Sequence, residues 1–73
     1  MTLLELKKGM PATIVKVHAD KALKERLSAF GVIRGEEVIL KGSSLGRKTI
    51  EIKVGATLIA LRADEAKMIE VEL

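Results

Sequence analysis

Arg26-Leu-Ser-Ala-Phe-Gly-Val-Ile-Arg-Gly-Glu-Glu-Val-Ile-Leu-Lys-Gly-Ser-Ser-Leu-Gly46 is the stretch that decides the fold. It runs the end of a helix into a glycine stop at Gly31, then Gly35, the apolar strand Val38-Ile39-Leu40, and a hairpin tip closing on Leu45-Gly46. Upstream, Asp20 is placed to cap a helix, because its carboxylate can accept from the unpaired N–H groups of the first turn. Leu23, Leu27 and Phe30 follow at i, i+4 and i+7, one face of a helix over about 20–30, with Lys21, Lys24, Glu25 and Ser28 off that stripe. Gly31 fits the left-handed residue just past a helix end, and Val32 is expected to fold back onto Leu27.

Strands surround this helix. Pro11–Val17 is β-branched, with proline at the first position, where a strand tolerates it. Glu36–Lys41 forms a second strand. Lys48–Val54 alternates cleanly, with Ile50, Ile52 and Val54 on one face and Thr49, Glu51 and Lys53 on the other. Gly55-Ala56 is a two-residue loop of the glycine-first kind, returning the chain as Thr57–Arg62. One helical turn over about 63–67 leads to Met68–Leu73, with Ile69, Val71 and Leu73 inward. Leu3, Leu4 and Leu6 make an opening turn that closes one end of the core. Five short strands with one apolar face should curl on themselves, since closure removes exposed edges. The expectation is mainly β: a small, five-stranded, partly open SH3-like barrel with one inserted helix, forming one domain over 1–73.

Composition narrows the function. At 73 residues the chain is near the lower size limit for folding alone, and Phe30 is its only aromatic, so the core must be aliphatic. There is no cysteine, hence no disulfide, thiolate nucleophile or Cys-type metal centre. The N-terminal apolar run is too short for a signal peptide, and no stretch approaches the roughly 20 residues of a membrane span, which points to a cytoplasmic protein. Net charge is +3, with five basic residues from Lys41 to Arg62 against Glu51 alone, and four acids after Arg62 against Lys67. That asymmetry can steer a partner or a second copy of the chain, or be no more than a mixed, solubilising surface.

No catalytic constellation is legible. The single imidazole, His18, has no nucleophile motif beside it, and Glu36-Glu37 would face opposite sides of a strand. His18 with Asp20 is the one surface metal candidate, and two groups fall short of the three or four ligands a site needs. No small-molecule substrate or cofactor is implied. The glycine-punctuated strand and the basic pair Arg47-Lys48 loosely resemble ribosomal and transcription-elongation barrels. Against nucleic acid stands the lack of Tyr and Trp on which bases could stack, with Phe30 assigned to the helix stripe. Leu45, set among polar residues, either covers the open end of the barrel or is offered to a partner or membrane surface.

The chain resembles the ferrous iron transport A (FeoA) family over almost its whole length. The likeness rests on Leu6 and Gly9, on Ala12 and Ile14, and on Arg26-Leu27, Phe30-Gly31 and Gly35. Val38, Leu45-Gly46, Val54-Gly55, Leu58–Arg62, Ala66, Ile69 and Val71 continue it. Arg34 and Lys48-Thr49 stand where the family usually has prolines, which would loosen both turns. The resemblance implies a non-enzymatic cytoplasmic adaptor, peripheral at the inner face of the membrane. It would support ferrous iron uptake by a membrane permease that carries a GTP-binding domain. The residues expected to bind the partner are Leu45, Gly46, Arg47 and Lys48, with Arg34 and Arg62 as flanking charges, because an apolar anchor and arginine are residue types that interfaces favour. The same fold serves as a regulatory module in metal-dependent repressors, the alternative within the family. Exposed sheet edges leave room for a homo-oligomer.

Overall fold

In a computed structural model describing residues 1–73, the elements fall in the anticipated order. A 3-10 turn (Leu3–Glu5) precedes strand β1 (Pro11–Val17), helix α1 (Lys21–Ala29), β2 (Glu37–Ser43), a second 3-10 turn (Leu45–Arg47), β3 (Thr49–Val54), β4 (Thr57–Arg62), helix α2 (Ala63–Ala66) and β5 (Ile69–Glu72). The strands form one antiparallel sheet in the order β4-β3-β2-β1-β5, which curls without closing, as in an SH3-like domain.

Local chemistry sets the helix. Asp20 Oδ1 accepts from the Leu23 N–H at 2.8 Å, capping α1. At the other end Gly31 sits at φ +90°; its N–H donates to Ser28 O at 3.0 Å and the Val32 N–H to Leu27 O at 2.9 Å. This pair of bonds is a Schellman stop, and it brings two buried residues, Leu27 and Val32, into the core together. The Gly55 turn, with φ +60°, closes the β3–β4 hairpin at the Val54–Thr57 pair.

Seventeen buried residues, all apolar, form one core. Ala12 and Ile14 of β1, Val38 and Leu40 of β2, Ile50, Ile52 and Val54 of β3, Ile59 and Leu61 of β4, and Ile69 and Val71 of β5 point inward. Two irregularities curl the sheet. Pairing of β1 with β5 skips a residue between Ile14 and Lys16, and pairing of β2 with β3 skips one between Leu40 and Gly42. A bulge inverts the alternation after it, so Val17 of β1 is buried and Lys16 faces outward.

Two expectations fail. Phe30 is 49% exposed, because it is the cap residue at φ −95°, ψ 3°, where the chain has left the helical path and no longer follows the Leu27 stripe. Leu73 is 70% exposed: β5 ends at Glu72, paired with Thr13, and beyond it no strand remains to face. The strand over Glu36–Lys41 is shifted to Glu37–Ser43. Glu36 belongs to the preceding turn, although its carbonyl still accepts from the Ile14 N–H at 2.9 Å.

The two sheet edges differ. Beside β5, Thr2 forms a bridge with Glu70 and the Val71 N–H donates to Met1 O at 2.8 Å, so the N-terminal residues cover that edge. On β4 the register turns the backbone groups of Leu58 and Ala60 away from β3, and no strand lies beyond. The Arg62 N–H at the end of this edge donates to Glu65 Oε1 at 3.0 Å.

Candidate functional site

The tip between β2 and β3 is an ordered turn. Gly46 (φ 78°) and Arg47 (φ 56°) are both left-handed, and Arg47 is the one non-glycine residue in that region. Four bonds hold it: the Ser44 N–H to Thr49 O at 2.9 Å, the Arg47 N–H to Ser44 O at 2.9 Å, the Thr49 N–H to Ser44 Oγ at 3.1 Å, and Arg47 Nη2 to the Leu4 carbonyl at 2.8 Å. The last ties the tip to the opening turn. Leu45 is 100% exposed, so it does not cover the open end of the barrel; its side chain projects into solvent.

The basic residues expected to flank Leu45 are divided by the fold. Lys48 and Arg62 line one shallow depression, and the Ala63 N–H donates to Lys48 O at 2.8 Å. Arg34 lies elsewhere. From the pairing of Thr13 with Glu37, β1 runs one way to Val17 and β2 the other to Ser43, so the tip and the Arg34 region lie at opposite ends of that ladder.

Around Arg34 the structure brings together residues that the sequence did not group. A cleft of about 590 Å³, the largest in the molecule, opens between α1, the end of β1 and the 32–34 turn. Lys16, Lys21, Lys24 and Arg34 surround it, with Glu25 the one acid. Buried Val17 and Val32 and the 42%-exposed Ile33 supply its apolar floor. The cleft wall is anchored on both sides: the Val32 N–H bonds Leu27 O, and the Gly35 N–H bonds Ile14 O at 2.7 Å.

His18 engages Glu70 rather than Asp20, its Nε2 lying 2.8 Å from Glu70 Oε1. The hydrogen bond from His18 lowers the Glu70 carboxyl below its ordinary value; desolvation opposes this, and the charges of His18, the N-terminus and Lys16 reinforce it. Nowhere do three His, Asp or Glu side chains converge as metal ligands. Arg26 and Glu65 pair between α1 and α2. No helix is long and apolar enough to cross a membrane.

A curled antiparallel sheet with an aliphatic core and a hydrogen-bonded hairpin tip defines a small SH3-like domain. The chain belongs to the FeoA family: the family's domain model matches residues 1–73. A relative from Campylobacter jejuni, assigned by name to Fe(2+) transport as protein A, is 47% identical over 73 residues, covering 100% of this chain and 99% of its own. The solution structure of a FeoA protein from Chlorobium tepidum matches with a TM-score of 0.94 at 32% identity, covering 100% of this chain and 70% of that one. A zinc-complexed FeoA from Stenotrophomonas maltophilia, described as a prokaryotic SH3 domain protein, matches at 0.81 and 36%, over 99% and 89% of the two chains. The family ties the chain to ferrous iron transport.

Proposed function

We propose that this chain is a non-catalytic accessory protein of ferrous iron uptake. It docks from the cytoplasm on the membrane ferrous iron permease, whose cytosolic part carries a GTP-binding domain. The observation that carries this reading is Leu45, fully exposed on a turn fixed by Arg47 and Ser44. An aliphatic side chain exposed on a hydrogen-bonded turn gains by being covered, and much of the ordering of its backbone has been met before a partner arrives. Gly46, Arg47 and Lys48 complete the contact, and Arg62 flanks it at the same end, in a depression it shares with Lys48 and Asp64. Support comes from the family, and from the S. maltophilia relative, put forward as a ferrous iron transport activating factor.

The test is a deletion strain complemented with wild-type protein or Leu45→Asp, scored by uptake of radioactive ferrous iron. Deletion is expected to reduce uptake and Leu45→Asp to fail to restore it. Because the side chain touches nothing, the melting temperature should move by no more than about 2–4 °C. Full restoration by a folded Leu45→Asp would refute the role of the tip.

A further inference from the structure

The cleft beside α1 is one of two strongly basic concavities, the other being lined by Lys7, Lys8 and Arg47; it is the larger of the two and the one with a helix for a wall. Four of the chain's 13 basic residues and one of its 10 acids surround it, so nine of each sign remain elsewhere and cancel. The cleft thus carries a local charge of +3, equal to the net charge of the chain. None of the four cations is in an ion pair, the two in the molecule being His18–Glu70 and Arg26–Glu65, although Lys16 stands opposite Glu70 on the β1–β5 ladder and feels its charge.

This gathering requires the fold. Lys21 and Lys24 share one face of α1 as i and i+3. Lys16 faces outward because the bulge between Ile14 and Lys16 inverts the alternation, and Arg34 arrives on a turn stapled to β1 through Gly35. Both walls belong to hydrogen-bonded elements, so the cleft is formed before any ligand binds.

We infer that this cleft is a docking site for an acidic peptide segment carrying an aliphatic side chain, the side chain seated against exposed Ile33 with buried Val17 and Val32 behind it, and its flanking carboxylates between Lys16, Lys21, Lys24 and Arg34. Three features select that occupant. The cation ring favours carboxylates over neutral or basic groups. A volume of about 590 Å³ lies within the roughly 300–1,000 Å³ range of ligand-holding concavities, and its floor is reached by an inserted side chain, whereas a flat bilayer would rest on the rim. The lining holds no aromatic ring, so a nucleobase has nothing to stack on. This surface is independent of the Leu45 tip and survives Leu45→Asp.

The probe is a capped synthetic peptide, Glu-Asp-Leu-Glu-Glu, titrated into the isotope-labelled full chain and followed by amide chemical shifts. Shifts are expected at Lys16 and Val17, along Lys24 to Ser28, and from Val32 to Arg34. Raising salt to about 0.3 M should weaken binding roughly tenfold, since the contacts are solvent-exposed ion pairs within a short screening length. Replacing the peptide's leucine with serine should abolish saturable binding. Lys24→Glu with Arg34→Glu should lose at least about tenfold in affinity, and Arg34→Glu alone, which lies outside the helix, gives the same direction if the double variant fails to fold. No saturable shift, shifts confined to residues 44–48, or equal binding of the serine peptide would each overturn the inference. So would vesicles of anionic phospholipid producing the cleft shifts while the peptide does not.

Discussion

Arg47 is the residue at which fold and proposed contact meet, and its energetics can be separated. Its φ of 56° lies where an L-residue costs about 1–2 kcal/mol relative to glycine. Its guanidinium recovers part of that through the 2.8 Å bond to the Leu4 carbonyl, a surface interaction worth about 0.5–1.5 kcal/mol. Arg47→Ala keeps the backbone cost and loses the bond, so it should destabilise by about 0.5–1.5 kcal/mol. Arg47→Gly loses the same bond but removes the backbone cost. Glycine's greater freedom in the unfolded chain offsets part of that gain, leaving glycine about 1 kcal/mol more stable than alanine. In a domain of 73 residues that gap corresponds to about 4–8 °C in melting temperature. Thermal melts followed by circular dichroism, supported by urea titration, measure it. A glycine variant no more stable than the alanine variant would refute the claim that the tip stores backbone strain. Uptake gives the second readout. Both variants lack the charge, so they should restore ferrous iron transport equally poorly despite their different stabilities.

Leu27→Ala should cost about 2–5 kcal/mol, because it empties a buried site where α1 meets Val32, whereas Phe30→Ser should change stability by less than about 1 kcal/mol. Equal losses in urea melts of the two variants would return Phe30 to the core. Carbon-detected titration of the Glu70 carboxyl should give a midpoint below 4.5, shifted upward in His18→Ala. Since the folded value is the lower one, the stabilisation is complete above the unfolded carboxyl value and fades as pH falls through the folded midpoint. A midpoint indifferent to His18→Ala would mean the hydrogen bond is not its cause.

What could be read from the chain was what neighbouring residues decide among themselves. The Asp20 cap, the Gly31 stop with Val32 returning to Leu27, the Gly55 turn and the alternation of β3 all depend on spacings of a few residues, and all stand in the structure. Phe30 leaves the stripe because the i, i+4, i+7 count continues past the residue where helical geometry stops. Leu73 stays outside the core because the alternation of β5 has no partner strand beyond Glu72, its last paired residue. The bulges near Val15 and Lys41 carry no local mark; they arise from how strands distant in sequence must curl to share one core. The basic cleft was hidden for that reason. Lys16 joins Lys21 and Lys24 only after a phase inversion that depends on β5, and Arg34 joins through a bond to β1. The tip is legible as a candidate because Leu45 is anomalous among polar neighbours, while its direction, outward rather than over the barrel mouth, is set by the turn that Arg47 ties to Leu4.

The unequal edges of the sheet limit how it can multiply. A strand added beside β4 meets the free backbone groups of Leu58 and Ala60, but the far side of β5 already carries Met1 and Thr2. If the added strand is β4 of another molecule, the pair buries both open edges at once and presents only covered ones. Growth by strand pairing therefore terminates at two molecules, which gives a sheet with an exposed Leu58 a stoichiometric ceiling against fibre formation.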